Sequence, residues 1–217
     1  MKKTLRTLAL LLALCLAFSL LAAPVYAVDN PANEKIENNP NTSTGTDTID
    51  NNYGTVMNNN SGGTVINNQS GGTVTNNNGT IGKAGNDSSG NWGTVVNNNS
   101  GGTVVTNQSG GSVETNNGDV TYNYGTIGKT DASGTPDNNY GNYGTVMNNM
   151  KNATVVTNNQ SGEVKYNNGT VTINNGAIKS SNSEGTVTTN NGTVESNNGT
   201  VVNNNSSGKV EDNLSGG

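Results

Sequence analysis

The side chains able to do acid–base work are few and scattered. Glu163 and Lys165 stand on either side of Val164, and Glu114, Glu195 and Glu211 each directly follow a valine. Two carboxylates facing each other across a bound sugar would make a glycosidase. That chemistry wants acids grouped on one face with large aromatics beside them, and these spacings group neither. Histidine, the commonest general base and metal ligand, is absent from the sequence. Calcium-binding coils carry regularly placed aspartates, whereas the turns here carry neutral asparagine, a weak substitute toward a hard cation. The single cysteine, Cys15, follows Leu14 inside an apolar run, where a lipid-attachment site would need a small residue before it. No catalytic, cofactor-binding or metal-ligating residue is therefore assigned. The expectation is a protein that is not an enzyme and uses no cofactor.

What must position the remaining polar groups is a repeat. The segment Gly54–Asn59, Gly-Thr-Val-Met-Asn-Asn, returns with variations to the end of the chain. Its apolar residue recurs at Val56, Val65, Val74 and Ile81, then at Val95, Val104, Val113, Val120 and Ile127, and again from Val146 to Val210. Within each series the spacing is seven or nine residues. Glycine stands two residues before the marker, as at Gly54, Gly63 and Gly72, and asparagine three residues after it, with Ala84 an exception. Charges occur on both flanks (Asp119, Glu163, Lys165, Lys209) but never at the marker. The flanks therefore face water and the marker faces inward, which is the alternation of a short strand. Gly and Asn bracket the strand as residues that tolerate positive φ in a turn.

Nine-residue units differ from seven-residue units only in turn length: Asn60-Ser61-Gly62-Gly63 against Asn78-Gly79. A constant strand with variable turns predicts an all-β fold, a single-chain β-solenoid (β-helix-like) of 7- and 9-residue Gly-Thr-Val-x-x-Asn repeats, in which Val and Asn form vertical ladders. Two or three units per coil both accommodate the spacing. One buried Val contributes about 1.5–3 kcal/mol, far less than ordering its unit costs at roughly 1–2 kcal/mol per residue. Only stacked units can hold together. Low hydrophobicity (29%) is also a signature of disorder; the low charge content (12%) and the strict Val and Asn register speak for order.

Domain organisation follows. Residues 1–27 read as a cleaved signal peptide forming a helix: Lys2, Lys3 and Arg6 precede an apolar core from Leu8 to Ala23, and Val25-Tyr26-Ala27 supplies the cleavage positions. Residues 28–50, with Pro31 and Pro40, read as a flexible leader or linker. Residues 51–217 are the repeat domain, with non-periodic inserts near 84–91 and 130–142 that should protrude as loops from one face. Asn213-Leu214-Ser215-Gly216-Gly217 matches the turn Asn68–Gly72, so the chain ends partway through a unit. Tyr53, Trp92 and Tyr143 each precede a glycine at the start of a block. They either form a carbohydrate-stacking row or stack on one another to seal an edge.

The pattern resembles the repeat regions of bacterial secreted and surface β-solenoid proteins of the adhesin type. That resemblance implies a secreted, structural or adhesive protein, an extracellular stalk or binding surface. Its partners would be cell-surface or extracellular polymers, or further copies associating end to end. The net charge of −5 argues against nucleic acid as a partner, and no membrane span is expected after signal removal. Two rival functions remain. Parallel Asn ladders are templates for cross-β, amyloid-like assembly into an extracellular matrix. Ranked threonines, such as Thr73 with Thr75, Thr170 with Thr172 and Thr186 with Thr188, could present a hydroxyl lattice to ice, although Glu163 with Lys165, Ala177 with Lys179 and Lys209 with Glu211 interrupt the ranks.

Overall fold

Two repeat units make one turn of the coil. In the computed structural model, which describes residues 28–39, 48–85 and 88–214, Thr48–Asn52 lies in one sheet, Thr55–Asn59 in a second, and Thr64–Asn68 returns to the first. Thr64–Asn68 pairs in parallel with Thr48–Asn52, and Thr73–Asn77 with Thr55–Asn59. Continued to Lys209–Asn213, this winding builds a 12-stranded and an 11-stranded sheet facing each other over about 11 turns. Every sheet pairing among the described residues is parallel, and marker stacks on marker, as in Val104 on Ile81 and Val120 on Val104. The expected signal helix, with Cys15, and the closing Ser215–Gly217 lie outside the described residues.

The core is a single aliphatic seam. Val56, Val65, Val74, Ile81 and their successors to Val194 are buried and form one continuous cluster. Where an asparagine stands three residues after a marker, from Asn52 to Asn197, it is buried as well. Two inward positions three apart cannot come from strict alternation, and the burial pattern of Thr55–Asn59 shows why: two consecutive residues, Met57 and Asn58, point outward between them. The pleat breaks once in the middle of each strand, so the expected alternation holds for only half its length.

Burying an amide demands partners for its polar atoms, and stacking supplies them. In the second sheet the Nδ2 group of Asn39 donates to the Oδ1 of Asn59, Asn59 to Asn77, and so on without a gap to Asn204, at 2.7–2.8 Å. The first sheet carries the same ladder from Asn30 to Asn167 at 2.6–2.8 Å. The other proton crosses to the opposite strand, as from Asn59 to the Thr80 carbonyl at 3.2 Å. All ladder donors point toward the C-terminal coils, so the amide dipoles add along the rod.

Glycine's part differs from the expected one. The glycine two before the marker avoids positive φ altogether; a Cβ on Gly63 would sit 2.6 Å from the Asn39 carbonyl oxygen of the coil beneath. It is there for close approach. Positive φ falls one residue earlier in the long turns, at Gly62 and its equivalents. Among the described residues the asparagines three after the marker are absent from the positive-φ set, whose only non-glycine members there are Asn33 and Asn152; they are selected by the ladder.

The coil also begins before the expected boundary at residue 51. Val28–Asn30, Lys35–Asn39 and Thr48–Asn52 are strands within the segment read as a leader, and each pairs with the coil above it. Ile36 and Ile49 take the marker position, with Asn39 and Asn52 three residues on. The glycine two residues before is missing in both, which hides the unit from a consensus search.

Both inserts interrupt a strand. Thr80–Ile81 and Gly90–Asn91 are two halves of one rung, both paired with Thr64–Asn68. Thr126–Ile127 and Gly141–Asn142 repeat the arrangement on Ser112–Asn116. The asparagine missing at Ala84 is thus delivered after the excursion by Asn91, which takes its place in the ladder. Because the chain leaves between the two outward positions, one insert stands on the outer face of each sheet, and the two do not share one face as expected.

Candidate binding surface

The carboxylates singled out from sequence are all outside, and each has a lysine partner. Glu114 pairs with Lys129 of the second insert at 2.6 Å, and Glu211 with Lys209 at 2.7 Å. Lys179 hydrogen-bonds Glu195 on the adjacent rung and lies 4.0 Å from Glu163, as does Lys165. The Glu195 carboxylate accordingly holds the Lys179 ammonium above its ordinary pKa. Sequence spacing left Glu114 and Glu195 without partners because an adjacent rung is 16 residues away in the chain and an insert has no register at all; the partner of Glu211, Lys209, stands only two residues away on its own strand. These are half-exposed surface pairs of small energetic weight. They converge on no common point. Among the described residues no group of three or more His, Cys, Asp or Glu is placed to hold a metal ion.

The second insert has its own small scaffold. Asp131 Oδ1 accepts from the Ser133 amide (2.8 Å), the Ser133 hydroxyl (2.6 Å) and the Thr135 amide (2.9 Å). The Ser133 hydroxyl, then the Thr135 amide, lower the Asp131 pKa. Lys129 Nζ sits 4.7 Å from the centre of the Tyr140 ring, and the Tyr143 hydroxyl donates to the Asn138 carbonyl at 3.1 Å. Beneath the insert Val156 and Thr157 are buried. A shallow groove beside it is lined by Tyr143, Asn159, Gln160, Asn175, Asn191 and Ser207.

Winding two units per coil sorts the outward residues by sheet. The threonines before the markers of the second sheet are in register from Thr55 through Thr73, Thr94, Thr126, Thr154 and Thr170 to Thr200, with Ser112 the one substitution. All the expected interruptions, Glu163, Ala177 and Lys209 with their companions, fall on the first sheet. The second insert rises from the same face as the threonine rank.

The aromatics do not form the row expected. Tyr143 follows a strand of the second sheet, whereas Tyr53 and Trp92 follow strands of the first, so Tyr143 lies on the opposite edge. The edge where the chain passes from the first sheet to the second carries a different ladder. Each residue just after the buried asparagine donates its amide to the asparagine carbonyl one coil below: Tyr53 to Asn30, Gln69 to Asn52, Trp92 to Asn68, Gln108 to Asn91 and Tyr124 to Asn107, at 2.7–2.9 Å. Tyrosine or tryptophan alternates with glutamine over five coils. Tyr124 is the member that sequence reading missed, because it opens no block and its neighbours are set by the coil. Tyr53 is 45% and Tyr124 39% exposed. Gln69 Nε2 is held by Asn51 Oδ1 (2.9 Å) and Gln108 Nε2 by the Ser89 carbonyl (3.1 Å).

Compared with known proteins, the chain matches no family model, no curated protein and no solved structure.

Proposed function

We propose that this chain is a secreted, non-enzymatic β-solenoid that serves outside the cell as a structural stalk or adhesive surface. One observation carries the reading: the inside of the coil repeats Val and Asn with little change, and what varies stands outside. The inserts, the lysine–carboxylate pairs and the exposed tyrosines all stand on the outside of this repeating support. Such a support suits holding and spacing. The basic and then apolar start of the sequence supports export.

The test is cell fractionation with N-terminal sequencing of the product. The expected form begins near Val28, lies in the medium or on the cell exterior, and adsorbs saturably to cells or extracellular polymers. Retention inside the cell with residues 1–27 intact would overturn the reading.

Two observations favour other uses. In-register Asn ladders are also the side-chain arrangement of cross-β fibres, and lag-phase growth of dye-binding fibres from the folded chain would point to an assembling matrix protein. The threonine rank, interrupted only by Ser112, favours ice binding, and thermal hysteresis in a concentrated solution is its signature. The insert protruding from that face opposes flat contact with a crystal plane.

A further inference from the structure

We propose that the edge bearing Tyr53, Gln69, Trp92, Gln108 and Tyr124 is a binding strip for an extended, uncharged polysaccharide. The inference names a ligand class for the adhesive reading above and rests on it only for the protein's being outside the cell.

Four observations converge on this edge. The five residues are in register on consecutive coils, so with parallel strands about 4.8 Å apart each aromatic stands about 9.6 Å from the next. That is comparable to the length of two linked pyranose rings. Second, the aromatics are not core residues. Among the described residues the apolar cluster is entirely Val and Ile, and Tyr53 and Tyr124 leave much of their surface to water. In a chain with 4% aromatic residues, placing three of them at alternate coils of one edge is not a packing requirement.

Third, the glutamines between them are positioned in advance. Bonds to Asn51 and to the Ser89 carbonyl fix both side chains, which lowers the entropy lost when a ligand docks. Planar amides alternating with aromatic rings match the two surfaces of a sugar: C–H faces stack on the rings, and hydroxyls at the rim meet the amides. Fourth, the turns of this edge are uncharged from Tyr53 to Gly125: Tyr-Gly, Gln-Ser-Gly-Gly, Trp-Gly, Gln-Ser-Gly-Gly, Tyr-Gly. Charge enters beyond both ends of the strip: at the exposed Glu34 in the turn below Tyr53, and above Tyr124 at Lys151, which pairs with Glu184 at 2.6 Å. Neither an acidic glycan nor a charged peptide finds a counter-ion on these turns. A β-1,4-linked neutral chain is a flat ribbon whose alternate rings present equivalent faces, so it would offer one equivalent ring to each aromatic.

Trp92 is the only tryptophan in the sequence, so its fluorescence reports on the centre of the strip without a label. The full chain is titrated with cellohexaose, mannohexaose and chitohexaose, and with maltohexaose and a galacturonic acid hexamer as contrasts. The expected result is a saturable change in Trp92 emission with at least one of the first three and none with the contrasts. Removing one ring at Tyr53→Ala or Tyr124→Ala should weaken binding up to about tenfold, since such contacts are worth ~0.5–1.5 kcal/mol. The double variant should bind weakly or not at all, with an unchanged circular-dichroism melt. Tyr53→Phe and Tyr124→Phe keep the ring and should bind nearly as the parent does, which separates stacking from any folding defect.

No saturable change with any of the three β-1,4-linked hexamers would overturn the proposal. So would affinity that survives the double alanine variant, or stronger binding of the charged hexamer. Sedimentation showing self-association that the alanine variants abolish would make the strip a contact between copies, and would also overturn it. Adsorption of the chain to whole cells, undiminished in the double variant, would leave the adhesive reading intact while ending this one.

Discussion

Ser181 is the one weak rung in the ladder of the first sheet, and repairing it tests what the asparagines do. Serine stands there between Asn167 and Asn197 in register, and its buried Oγ has no hydrogen-bond partner. Below it, Asn167 Nδ2 is left with a long 3.5 Å bond to the Thr186 carbonyl. Ser181→Asn should restore three bonds: one accepted from Asn167, one donated to Asn197 Oδ1 and one to the Thr200 carbonyl. The slot is shaped for it, since Gly185 approaches Ser181 just as Gly63 approaches Asn59. At about 1 kcal/mol net per hydrogen bond, less about 1 kcal/mol for ordering the longer side chain, the gain is about 2 kcal/mol. For a chain of this size that raises Tm by about 4–8 °C. Thermal melts followed by circular dichroism measure the shift. Amide exchange should show slower opening of Ala177–Ser181 and Thr193–Asn197, because a solenoid's stability is carried by nearest-neighbour interfaces. Ser181→Ala, which merely removes an unpartnered hydroxyl, should leave Tm close to the parent's. An asparagine variant no more stable than the alanine one, with a normal β spectrum, would refute the idea that the ladder stabilises the fold.

Other expectations follow from the same geometry. Val104→Asp and Val155→Asp put a carboxylate into a fully buried position of the seam, and either should cost more than about 4 kcal/mol and abolish cooperative melting. Adjacent glycines should behave oppositely: Gly62→Ala, at φ +87 in open space, should cost about 1 kcal/mol, whereas Gly63→Ala meets the Asn39 carbonyl and should cost about 3 kcal/mol. Equal urea midpoints for the two would refute the close-approach argument. The Asp131 carboxylate is stabilised in the folded insert, so its contribution is present above its unfolded pKa and lost as pH falls through the lower folded value. Nuclear magnetic resonance titration of the Ser133 and Thr135 amides should give a midpoint below the ordinary carboxylate range, and Asp131→Asn should remove the transition. A midpoint at or above that range would show that the turn does not hold the charge.

Periodicity alone determined that the chain coils, that Val and Ile line its interior and that Asn stacks, because each side chain's role repeats with its own position in the unit and needs no knowledge of other units. What lies next to what was a different matter. Whether Glu114 meets Lys129, whether Thr73 shares a face with Lys165, and whether Tyr124 joins Tyr53 and Trp92 all depend on the number of units per turn, and spacings of seven and nine fit two or three equally. Closure of the coil decides it: two strands face each other across a seam one Val and one Asn wide, and every second unit lands in the same sheet. The inserts were legible as breaks in period but not as split strands, since backbone pairing across a gap restores register that the sequence has lost. The outer surface, where any binding must occur, is therefore a product of winding, while the interior was written in each repeat.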